Sequence, residues 1–167
     1  MAASVTSARL VISLQGVATA ASPLTGETSR TLENGSGGAR WTDGQASGMV
    51  DRVYEHDGTL AAAAVDTYDV LAAGSLKDLQ GRAIDLDELK AFTLVCVTGS
   101  IKLLAPATNF LPLFGATGDF INLTAGQTVA FDFGAAGISL GTSGKFNVVD
   151  TAGGSGSTYS LMFIGSN

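Results

Sequence analysis

The sequence predicts an all-β fold: a single-domain β-sandwich or jelly roll of about eight to ten short strands, with a loop-rich N-terminal arm. Three observations point there. Val129, Phe131 and Phe133 alternate with Thr128, Ala130 and Asp132, and Phe146 and Val148 alternate with Lys145 and Asn147. Such period-2 spacing sets one group of side chains on one face of a sheet. Glycines (Gly126, Gly134, Gly137, Gly141, Gly144, Gly153) punctuate these runs, and they admit the positive φ angles that tight reversals demand. Finally, 46% of the residues are hydrophobic and only 14% charged, which is the composition of a folded chain and not of a disordered one.

The elements follow in order. Arg9–Thr19 reads as the first strand. Leu10–Ala20 has some features of a secretory leader, but a single positive charge precedes it and Ser13 and Gln15 interrupt it. It is also too short and polar to span a bilayer. From Ala21 to Gly48 the composition turns to Ser, Thr, Gly and Asn, with turn signals at Thr25-Gly26, Asn34-Gly35, Gly37-Gly38 and Asp43-Gly44. Residues 1–48 therefore read as a strand plus an extended arm, and residues 49–167 as the sandwich domain. Trp41, the only tryptophan, is the candidate interface residue: an aromatic anchor against the domain or a neighbouring subunit.

Met49–Glu55 reads as a strand ended by an Asp57-Gly58 turn. Leu60–Leu71 brings the chain back, with Ala61–Ala64 open between helix and strand and Tyr68, Val70 and Leu71 favouring strand. Ser75–Gln80 fits one helical turn, with Ser75 as cap and Gly81 as stop, and Leu86–Leu89 fits another. Phe92–Val97 and Ser100–Leu104 are expected to form a hairpin around Thr98-Gly99. Phe120–Leu123 and Thr128–Phe133 are expected to form a second around Thr124-Ala125-Gly126-Gln127. Ile138–Leu140, Phe146–Val149 and Ser160–Ile164 complete the set.

Little in the chain offers chemistry. The net charge is -6, and the nine basic residues are scattered without forming a stripe, so no nucleic-acid partner is expected. Cys96 is the only cysteine, which excludes an intrachain disulfide, and its place within Phe92–Val97 reads as a small buried hydrophobe. His56 stands beside Asp57, but neighbours on a strand face opposite ways and no second histidine exists to complete a metal set. It reads as a solvated turn residue. Asp85, Asp87 and Glu88 form the densest acidic cluster, and calcium favours such oxygens. The calcium loop with its central glycine is absent, so a solvated helix start is the better reading, with ion binding left open. Ala152–Ser157 is glycine-rich but lacks the lysine and context of a phosphate cradle. Asn122-Leu123-Thr124 matches a glycosylation sequon on an expected strand. No catalytic set can be assembled, no cofactor or metal is called for, and the chain does not read as an enzyme.

A set of short motifs, in order, covers most of the chain: Val5–Ile12, Thr42-Asp43-Gly44, Asp51-Arg52-Val53-Tyr54, Thr59-Leu60-Ala61, Tyr68-Asp69-Val70-Leu71, Gly74-Ser75-Leu76-Lys77-Asp78, Leu89-Lys90-Ala91, Ala125-Gly126-Gln127 and Tyr159–Ser166. The set resembles a family of small structural proteins of tailed-bacteriophage virions. Phe92-Thr93-Leu94 departs from the isoleucine and valine usual there. The resemblance implies a capsid decoration (cement) protein on the outer head surface, made in the bacterial host cytoplasm, that binds the major capsid protein and bridges its subunits. The apolar composition adds the expectation of a homo-oligomer, a trimer, with no membrane partner. The alternative is a phage tail or receptor-binding module, a carbohydrate-binding sandwich with exposed loop aromatics.

Overall fold

Residues Lys145–Asp150 show how this chain builds its core: Phe146, Val148 and Asp150 point inward and are buried, while Lys145, Asn147 and Val149 between them are half-buried. The same alternation recurs through the computed structural model, which describes residues 8–9, 40–43, 49–72, 75–78 and 81–167.

Three short strands come first. β1 (Ala8–Arg9) pairs antiparallel with β2 (Arg40–Asp43), and β2 pairs parallel with β3 (Met49–Val50). The remaining strands are β4 (Arg52–Leu60), β5 (Val65–Asp69), β6 (Glu88–Thr98), β7 (Ser100–Leu104), β8 (Phe120–Thr124), β9 (Thr128–Asp132), β10 (Ile138–Ser139), β11 (Lys145–Asp150) and β12 (Ser157–Ser166). They form two antiparallel sheets. In the first, β12 lies between β4 and β6, and both β9 and β10 pair along the other side of β6. The second has the order β5-β11-β7-β8. Among the described residues there is no helix, and the fold is an all-β sandwich, as its alternation predicts.

The core lies between the sheets. Phe92 and Leu94 of β6 pair with Phe163 and Leu161 of β12, and all four are buried. Ile101, Leu103, Phe146 and Val148 face them from the second sheet. The Phe92 ring meets Phe146 edge-on at 5.2 Å. Each such side chain contributes about 1.5–3 kcal/mol by leaving water.

From β6 onward the strand positions follow the sequence closely; the pairings do not, and the expected strand Met49–Glu55 is broken at Asp51 into β3 and the start of β4. The expected hairpin around Thr98-Gly99 is absent. β6 belongs to the first sheet and β7 to the second, so the chain crosses between sheets at Gly99, whose φ is 78°. The expected hairpin between β8 and β9 is likewise a crossing, because β8 pairs with β7 and β9 with β6. The two crossings lie together: Ala125 N donates to Gly99 O at 3.0 Å, and Gly126 N to Cys96 O at 2.8 Å. A tight glycine-bearing link can close a hairpin or turn a corner, and alternation is the same on both sides of either.

Other local expectations are corrected. Asp57-Gly58 is not a turn; β4 runs through it to Leu60, and the turn is Ala61–Ala64, with Ala63 at φ 58°. Ala64 N donates to Ala61 O at 3.0 Å. Ser75–Gln80 supplies no helix among its described residues. Lys77 instead bridges antiparallel to Ala83, and Ile84 N donates to Leu76 O at 2.9 Å. Asp78 decides this, since its carboxylate accepts from Arg82 N at 2.8 Å and Arg82 Nε at 2.6 Å, which closes a tight loop. Leu86–Leu89 is extended, with Leu86 and Leu89 both in the core, and leads into β6.

Candidate functional site

The densest set of polar and aromatic side chains sits where β4 and β5 come together at one side of the sandwich. Tyr54 and His56 on β4, Asp66 and Tyr68 on β5, and Tyr159 on β12 converge there. Alternation on β4 sends Tyr54 and His56 to the same face, and the His56 ring lies 6.3 Å from that of Tyr54 and 6.1 Å from those of Tyr68 and Tyr159. Tyr159 Oη donates to Asp66 Oδ2 at 2.5 Å. Tyr159 and Tyr68 hydroxyls are also 2.5 Å apart. A phenol has one proton, and that of Tyr159 goes to the carboxylate, so Tyr68 donates to Tyr159. Burial pushes the pKa of both phenols well above the usual tyrosine range. Tyr54 is raised too, by burial first and then by the Asp66 charge.

A second polar cluster ties together the loops at one end of the sandwich. Ser157 Oγ donates to Asp150 Oδ1 at 2.5 Å and lies 3.0 Å from both the amide and the carbonyl of Ser100. Ala63 N donates to Asp150 Oδ2 at 2.9 Å. The Ser157 hydrogen bond, followed by that of the Ala63 amide, holds the Asp150 carboxyl below the usual carboxylate range. A serine and an aspartate stand together here, but their bonds go to the β4–β5 turn, the β6–β7 corner, the Ala152 backbone and each other. The arrangement is a brace between strands.

The structure separates the residues that the sequence singles out. His56 is not a turn residue; it is half-buried in mid-strand against three tyrosines, while Asp57 is exposed on the other face. Asp85 and Asp87 are exposed on an extended segment, and Glu88 accepts from the fully buried Lys90 ammonium and from Ser166 Oγ at 3.3 Å. Among the described residues no group of three or more His, Cys, Asp and Glu side chains is placed to hold a metal. Cys96 is buried, and burial raises its thiol pKa. Asn122 of the sequon is exposed on β8. Trp41 lies in β2, but its side chain is outside the described residues, as are residues 10–19 of the expected first strand and 21–39 and 44–48 of the expected arm.

A feature missed in the sequence is the outward face of the second sheet. Thr67, Asn147, Leu104 and Phe120 lie in register across it, as do Val65, Val149, Lys102 and Asn122. Phe120 is 52% exposed and Val65 50%, with Leu104 and Val149 half-buried between them. Lys102 Nζ sits 4.2 Å from the Phe120 ring centre. Beside Phe120, the residues Leu113, Phe114, Gly118 and Ile121 line a shallow pocket of about 370 Å³. Asp119 Oδ2 fixes its rim by accepting from Gly115 N at 2.9 Å and Ala116 N at 2.8 Å. The odd spacing of Phe120 from Leu123 was the available signal, since it puts the two on opposite faces.

No family model matches the chain, and no curated protein matches it. Solved structures similar to it include a Cupin_2 domain of an XRE-family transcriptional regulator from Enterobacter cloacae, with 11% identity over 70% of this chain and 83% of that one, at a TM-score of 0.37. Another comes from work describing Bacillus endospore appendages as a family of disulfide-linked pili, with 12% identity over 72% of this chain and 93% of that one, at a TM-score of 0.34.

Proposed function

We propose that this chain is a virion structural protein of a tailed bacteriophage, a decoration protein that seats on the outer head surface and bridges capsid subunits. The observation that carries the reading is the outward face of the second sheet, where Phe120 and Val65 stand exposed on either side of Leu104 and Val149. An ordered sheet face with large apolar side chains in water is suited to burial against another protein. The polar clusters serve the fold: Asp66 bonds to Tyr159, and Asp150 to Ser157 and Ala63. The motif resemblance to phage virion proteins supplies the kind of partner. A stable contact of this sort buries on the order of 1,600 Å² in total, and one aromatic anchor can carry about 2 kcal/mol or more of it.

The test is reconstitution. Heads stripped of this protein are incubated with it, and bound copies are counted per particle. Hundreds of copies, reduced by Phe120→Ser in a variant as stable as the parent, are expected. A handful of copies would place the protein at a vertex or tail instead. The exposed Phe120 ring beside its pocket favours one second reading, a carbohydrate-binding module, and saturable binding to host surface glycans with no binding to heads would establish it.

A further inference from the structure

β4 ends one sheet and β5 ends the other, and at this side of the sandwich a single hydrogen-bonded chain joins the two sheets: Tyr68 to Tyr159 to Asp66. Tyr159 belongs to β12 of the first sheet, while Tyr68 and Asp66 belong to β5 of the second, so the chain spans the gap between layers. Gly58 makes the crossing possible. It pairs with Tyr159 across β4 and β12, and any side chain there would occupy the space of the phenol ring. Tyr68 and Tyr159 are almost fully buried, whereas Asp66 is half-buried and within reach of solvent protons.

We propose that this chain is a proton-released clasp: protonation of Asp66 loosens the β4–β5 edge while the rest of the sandwich holds. The bond from Tyr159 to an ionised carboxylate is charge-assisted and about twice as strong as a neutral one. Protonating Asp66 removes that charge and leaves Oδ2 a neutral, weaker acceptor for the Tyr159 hydroxyl. The titratable groups facing Asp66 are Tyr159 from β12, Tyr68 from its own strand and Tyr54 from β4, and His56 of β4 packs behind them against the three tyrosine rings. Val148, its partner on β11, does not titrate. Asp150, two residues further along β11, is committed to Ser157 and Ala63. The phenols cannot replace the lost charge. Opening would bare the backbone edges of β12 and β11 that β4 and β5 now cover, and such edges can accept a further strand.

Hydrogen exchange on the whole protein, corrected for intrinsic rates, tests this at about pH 7 and at the most acid pH at which the sandwich stays folded. At the acid pH, peptides covering residues 52–69 should lose about tenfold in protection, while those covering 100–124 keep theirs. Asp66→Asn, which keeps the shape but not the charge, should show the loosened edge already at neutral pH and no further change on acidification. His56→Gln should respond as the parent does. The clasp is overturned by an edge equally protected at both pH values, by loss of protection in step with the whole sandwich, or by an Asp66→Asn protein that behaves as wild type. Loss of the response in His56→Gln would assign the switch to the histidine and overturn it equally. Tyr159→Phe should match Asp66→Asn; if it does not fold, the Asp66 variant decides.

Discussion

Tyr159 lies across Gly58. The two are cross-strand partners, and a Cβ on Gly58 would stand 2.2 Å from Tyr159 Cζ. The glycine is therefore a slot for the ring that reaches Asp66.

This reverses a familiar expectation. Glycine to alanine at a compatible backbone position usually stabilises by about 0.4–1 kcal/mol, because it restricts the unfolded chain. Gly58→Ala should instead destabilise by about 1–3 kcal/mol, the usual cost of overpacking. Urea unfolding measures it, and an unchanged or raised midpoint would mean the ring does not need the slot.

Gly99 is constrained twice. Its φ is 78°, and a Cβ there would meet Ser157 Oγ at 2.3 Å and Gly156 O at 2.8 Å. Gly118 has a similar φ of 82° with nothing within 4 Å. Gly118→Ala should cost about 1–2 kcal/mol, the left-handed penalty alone. Gly99→Ala should cost clearly more, because the brace around Ser157 must shift as well. Equal losses in thermal unfolding would refute the steric part of this account.

Asp150 should make the fold acid-sensitive. Its pKa is lowered in the folded protein, so the stability it contributes is fully present above the unfolded carboxylate value of about 3.9 and is lost as the pH falls through the folded value. Asp150→Asn should lower the melting temperature at neutral pH and flatten its fall below about pH 4. Parallel melting curves against pH for the two proteins would show that the carboxylate is not the linked group.

Cys96 is sealed in β6, fully buried, with its sulfur 3.5 Å from Thr98 O. A thiol reagent should label the native protein only at the rate of opening, and rapid labelling would contradict its burial. Cys96→Ser should cost about 1–3 kcal/mol, because a hydroxyl in that position is poorly paired.

The fold class was legible because burial follows alternation so directly: Phe146 and Val148, Tyr159 and Leu161 all face the core that their spacing implies. Sheet membership was not. Thr98-Gly99 carries a hairpin signature, yet the Ser157 and Asp150 contacts that turn it into a corner lie more than fifty residues away. Ser75–Gln80 reads as a helical turn because Ser75 and Gly81 mimic caps, and only the Asp78–Arg82 bonds close it differently. The candidate site was hidden for the same reason. His56 was visible as a lone histidine, but Asp66 and Tyr159 are 93 positions apart, and nothing local in either marks the other as its partner.

The pairing of β12 bears on how the protein is made. β12 is the latest strand in chain order, yet it lies between β4 and β6 in the middle of its sheet. Until it emerges from the ribosome, β4 has no neighbour in that sheet and the apolar residues of β6 lack half their cover. Of the earlier strands, β7 and β8 pair as neighbours in the chain, but β4, β5 and β6 have no partner next to them in sequence. Nascent chains should therefore stay open and dependent on holding chaperones until β12 is released.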